Sequence, residues 1–156
     1  MVPLDRREYI DIGIKVDPTV SQAFPSAIDE LREAGQCYGH GRTTATVFHL
    51  MRALEVPLSV LSADLGIVKH SPTWNAYLSA MADAIKAKFP DRNKAHAEKR
   101  ECFAALEGQL RAIKDAWRNP TMHQIAKVYT DDHAHELIVL VRGFMREAAR
   151  ELQEPP

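Results

Sequence analysis

Cysteine is scarce in this chain of 156 residues. Cys37 and Cys102 stand alone in helical-looking, partly apolar stretches. Their spacing offers neither a zinc site nor a disulfide framework, so a reduced, cytoplasmic setting is expected. An excess of either charge is missing too. Against 21 Asp+Glu stand 20 Lys+Arg, a formal net charge of −1. That argues against a broad electrostatic grip on nucleic acid, which shows as a basic face. It leaves room for a small positive site, or for one built from two subunits. No apolar run approaches the ~18 residues of a membrane span. The opening MVPLDRREYI has no apolar core of signal-peptide length. No internal repeat, low-complexity tract or linker divides the chain, so one domain without a membrane partner is expected.

What is present is an ordinary globular composition, 46% hydrophobic and 26% charged, enough to bury a full core without staples. Residues 1–19 differ from the rest. Ile10, Ile12, Ile14 and Val16 alternate with Asp11, Gly13 and Lys15, a period of two that predicts a short strand. No partner strand is evident. Residues 20–152 read as an all-α, antiparallel bundle of about five helices, and residues 153–156 as a tail. The first helix is predicted over 18–37. The second runs from Thr43 or Thr44 to Leu65, with Pro57 expected to kink or split it. The third follows a Ser71–Pro72 start and stops at Phe89–Pro90. The fourth spans Lys94–Trp117, capped by Asp91 or Asn93. The fifth starts at Thr130, with Asp131 and Asp132 favoured by the dipole of its first turn.

Between the last two helices lies WRNPTMH, Trp117 to His123. Cutting an RNA backbone without metal needs a base for the ribose 2′-hydroxyl and an acid for the leaving 5′-oxygen. It also needs a positive fork for the crowded phosphorane. Histidine suits proton transfer, with an unperturbed pKa of about 6.5. Arginine stays charged and can grip two phosphate oxygens. Asparagine can orient either partner. The plainer alternative is a helix stop at Asn119–Pro120, with Arg118 and His123 at the helix end.

In sequence and placement, RNPTMH resembles the HEPN superfamily (higher eukaryotes and prokaryotes nucleotide-binding domain). The pattern there is Arg, four to six residues, then His, with a polar residue after the Arg; Asn119 fills that slot here. The resemblance covers roughly residues 20–152. It implies a metal-independent endoribonuclease that needs no cofactor and acts as a homodimer. Two motifs would face each other across one composite cleft. Products would carry a 2′,3′-cyclic phosphate and a 5′-hydroxyl. Arg118 would bind the scissile phosphate, His123 would be the acid or base, and Asn119 would orient. Toxin–antitoxin and phage-defence roles are common in the family, so an antitoxin or regulatory partner is expected. Toxins silenced by a partner nucleotidyltransferase often carry a tyrosine two residues after the histidine. Here Ile125 stands there, and the nearest tyrosine is Tyr129.

Other candidates have bland alternatives. His49, Arg52 and Glu55 share one helical face: a contribution to the cleft, or a solvated or dimer-facing stripe. In DDHAHE, His133 and His135 point about 200° apart on a helix, so helix-start chemistry is expected rather than metal binding. His40 and Arg42 precede a helix N-terminus and could meet a phosphate, although a plain glycine turn is the expected reading. His70 and His96 read as surface residues. Gly108 sits mid-helix, where a close crossing would offset its cost. A different class of function is a non-catalytic helical module that binds protein or nucleic acid. A third is a domain cut from a larger defence protein.

Overall fold

A computed structural model of the chain describes residues 6–67, 73–90, 93–124 and 126–156. The described residues form an all-α bundle without strands. The elements are α1 (Arg7–Ile12), α2 (Pro18–Ala23), α3 (Ile28–Gly39), α4 (Thr43–Asp64), α5 (Trp74–Lys88), α6 (Lys94–Ile113), α7 (Asn119–His123) and α8 (Asp131–Ala148). A 3-10 turn, Pro25–Ala27, joins α2 to α3, and a π turn, Lys114–Arg118, joins α6 to α7. The helices expected from periodicity are the longer ones among the described residues, α3, α4, α5, α6 and α8. Caps explain several of their starts. Thr130 accepts the His133 N–H at 3.2 Å, closing a capping box on α8. Asn93 accepts the His96 N–H at 2.9 Å at the start of α6. Thr73 caps α5; Ser71, Pro72 and Asp91 lie outside the described residues.

The strand expected over residues 10–16 is not formed: Ile14 and Val16 lie in the non-helical segment that leads to α2, and Ile10 and Ile12 belong to helix α1. Its backbone pairs within its own turns, which an unpartnered strand could not do. Gly13 ends it at φ 67°, a conformation that favours glycine. There α1 meets α3 backbone to backbone: a Cβ on Gly35 would overlap the Gly13 carbonyl carbon. Arg6 pins this end, pairing with Asp131 at 2.5 Å and lying 4.7 Å over the Tyr38 ring. The first predicted helix is broken at Phe24–Pro25, since proline bars the preceding residue from the α region. By contrast, α4 runs unbroken through buried Pro57.

The core is one continuous cluster. α4 is its axis, carrying Leu50, Leu54 and Leu61 at 0% exposure. α3 and α8 pack on α4, and α5 pairs with α6. A Cβ on Gly108 would meet nothing within 4 Å, so the close crossing suggested for it is not made among the described residues. No helix is long and apolar enough to cross a membrane among the described residues.

Candidate functional site

The helix stop predicted at Asn119–Pro120 does not occur. The helix passes from α6 through the π turn and continues to His123. Asn119 N–H reaches the carbonyl of Lys114, five residues back. In an α turn the Pro120 ring would strike the carbonyl four residues earlier; the wider turn relieves that clash. Side chains then serve the Trp117 carbonyl, which accepts from the Thr121 hydroxyl at 2.6 Å and the Tyr129 hydroxyl at 3.2 Å. Tyr129 is buried, stacked on Trp117 with ring centroids 5.7 Å apart. Its hydroxyl thus braces the turn. Ile125 lies outside the described residues. Such π turns recur at functional sites.

Arg118, at the end of the π turn, lines a cleft of about 780 Å³. α4 supplies most of the wall, with Met51, Val56 and Val60 as apolar floor. The Arg118 guanidinium lies 5.5 Å from the Trp74 ring. It makes no ion pair among the described residues. Trp74 Nε1 in turn donates to Glu55 at 3.4 Å. Asn119 is half-buried, its amide 3.5 Å from Asp115. His123 is exposed and does not line the cleft. Five residues of helix carry it about 140° around from Arg118. Within one chain, therefore, the two motif side chains share a helix end but not a cavity.

The stripe on α4 does reach this cleft, at Arg52 and Glu55. Glu30 from α3, which no spacing in the sequence singles out, organises it. Its carboxylate lies 2.8 Å from His49 Nδ1 and accepts from Arg52 Nε at 2.7 Å. Burial pushes the Glu30 carboxyl up. The hydrogen bonds from His49 and Arg52, with the Arg52 charge, together outweigh it and leave the group below its ordinary range. Trp74, which in the sequence reads only as core, is the other residue that spacing could not have placed here.

Elsewhere the plain readings hold. His133 serves the α8 capping box, and His135 stacks on Tyr38 at 6.0 Å. His40 and Gly41 form a turn, Gly41 at φ 72°. His96 is half-buried against Phe89 rather than a surface residue, with ring centroids 6.3 Å apart. His70 lies outside the described residues. Burial raises the thiols of Cys37 and Cys102, which disfavours thiolate chemistry. No group of three His, Cys, Asp or Glu side chains gathers as metal ligands among the described residues. Comparison of the chain with protein-family models, curated proteins and solved structures finds no match.

Proposed function

We propose that this chain is a metal-independent endoribonuclease of HEPN type that acts as a dimer. One observation carries the reading. Arg118 presents an unneutralised guanidinium to an open cleft, at the start of a π-braced helix end that also bears exposed His123. A phosphate there would meet a cation that makes no ion pair among the described residues, in a cleft that Glu30, Glu55 and Glu154 also line. Because His123 diverges from Arg118 within one chain, the His123 that serves the phosphate comes from a second copy. The reaction is in-line. A base removes the 2′-hydroxyl proton, O2′ bonds to phosphorus, and the bond to the 5′-oxygen breaks. An acid gives that oxygen its proton, leaving a 2′,3′-cyclic phosphate and a 5′-hydroxyl. His123 takes one of the two proton-transfer roles. Asn119 orients the phosphate or the imidazole. A regulatory partner that covers the cleft belongs to the same reading.

The test is cleavage of total RNA and defined tRNA in EDTA. His123→Ala is expected to lower the rate about 10²–10⁴-fold, the usual weight of general acid–base catalysis. Equal cleavage by both proteins would remove His123 from the chemistry. The divergence of Arg118 and His123 also favours a second reading, a non-catalytic interaction module. Folded protein that binds RNA or a protein partner and never cleaves would support that one.

A further inference from the structure

A second groove, about 400 Å³, lies between α8 and the segment joining α1 to α2. Lys15, Arg142 and Arg146 line it. None of the three makes an ion pair among the described residues. Asp17 is the one carboxylate in the described lining. It caps α2, accepting the Thr19 N–H at 2.9 Å and the Thr19 hydroxyl at 2.7 Å, and its charge, which also acts on Arg146, leaves three cations against one anion. In a chain whose charges nearly cancel, this is a local excess of cations. Basic residues late in a helix also answer its dipole. The dipole does not account for Lys15, which converges from another element.

The groove has a shape that suits a strand. Arg142 and Arg146 stand one turn apart on α8, about 6 Å along the axis. Gly143 lies between them in the groove wall. A Cβ on Gly143 would meet nothing within 4 Å, so packing does not demand glycine there. Glycine weakens a helix interior relative to alanine, yet any longer side chain would stand in the groove. Val139, 56% exposed, adds an apolar edge for ribose or base.

We propose that this groove holds the backbone of single-stranded RNA, with phosphates on Arg142 and Arg146 and Lys15 on the facing wall. A bilayer is flat and would not enter a concavity between helix and chain. A strand carries a charge at every nucleotide and matches cations repeated by the turn. The choice of RNA rests on the reading of WRNPTMH, but the charge pattern does not.

The test uses the whole chain and a 2′-O-methylated uridine oligomer of about ten nucleotides. That oligomer cannot undergo 2′-hydroxyl attack. Arg142→Glu/Arg146→Glu is expected to weaken binding about tenfold or more at low salt. It should also flatten the log–log salt dependence by about 1.4, near 0.7 for each phosphate that the groove no longer neutralises. Gly143→Leu keeps every cation. It is expected to weaken binding several-fold while the melting temperature holds or rises.

Unchanged affinity in the charge-reversed protein overturns the groove. So does failure of wild type to bind the oligomer. Binding to phosphatidylserine vesicles without RNA binding also overturns it. Cleavage of unmodified RNA separates the two ideas. If the charge-reversed protein binds and cuts like wild type, the groove falls and the catalytic reading stands. If oligomer binding needs Arg142 and Arg146 but no RNA is ever cut, the groove stands and the catalytic reading falls.

Discussion

Glu30 has two donors and little water. Its side chain is 22% exposed, between His49 and Arg52. The two hydrogen bonds hold the carboxyl below its ordinary range against the opposing push of burial. The sign of the linkage follows. A group with a depressed folded pKa stabilises the fold above the unfolded value, near 4.3 for glutamate, and loses that contribution as pH falls through the folded value. Glu30→Gln is therefore expected to cost about 1–2 kcal/mol at neutral pH, the scale of a hydrogen bond to a charged group. Thermal melts of both proteins from neutral to acid pH check it. The gap in Tm should close below the folded pKa of Glu30. A gap that stays constant down to strongly acid pH would mean the carboxylate charge contributes nothing. None of this is legible in the sequence, because the separation of 19 positions from Glu30 to His49 obeys no spacing rule.

At the scale of elements, legibility tracks the source of order. Long helices are visible because their apolar stripes repeat at the helical period and their caps are local. α1 is not, because Ile10 and Ile12 at its end alternate in step with Ile14 and Val16 beyond it, a strand pattern, while its helix depends on packing against α3 and on the Arg6–Asp131 pair to α8, both far along the chain. The π turn is invisible as well. Asn119–Pro120 reads as a stop, and the widened turn, with Thr121 and Tyr129 serving the Trp117 carbonyl, lets the helix go on. That continuation fixes where Arg118 and His123 stand, so the motif residues are legible while their divergence is not. The α1–α3 crossing makes its own prediction. A Cβ on Gly35 would come within 2.5 Å of Gly13 and Ile14 backbone atoms, which cannot yield as a flexible side chain would. Gly35→Ala is expected to destabilise by about 1–3 kcal/mol, the cost of overpacking. Denaturant melts measure it, and hydrogen exchange should show α1 opening first. The same change at Gly108, where a Cβ meets nothing, is the control.

For the whole molecule, the proposed chemistry rests on a count of subunits. One chain places Arg118 on a cleft and His123 off it, so a single copy offers the phosphate a cation without a proton donor or acceptor from the motif. A formal net charge of −1 puts little electrostatic repulsion between copies. If the site is composite, activity per chain must depend on concentration. Above the dimer dissociation constant it should be flat. Below that constant the dimeric fraction falls in proportion to total protein, and the cleavage rate per chain should fall with it. The midpoint should coincide with the dissociation constant from analytical ultracentrifugation. Arg118→Ala and His123→Ala, each inactive alone, should regain activity when mixed, because a hybrid pairs the intact Arg118 of one chain with the intact His123 of the other. Activity per chain that stays flat while the protein dissociates would place both functions in one subunit, and the divergence of Arg118 and His123 would then require a different general acid or base. The Glu30-bound His49 is the first to replace, since its partner Glu30 lines the cleft with Arg118.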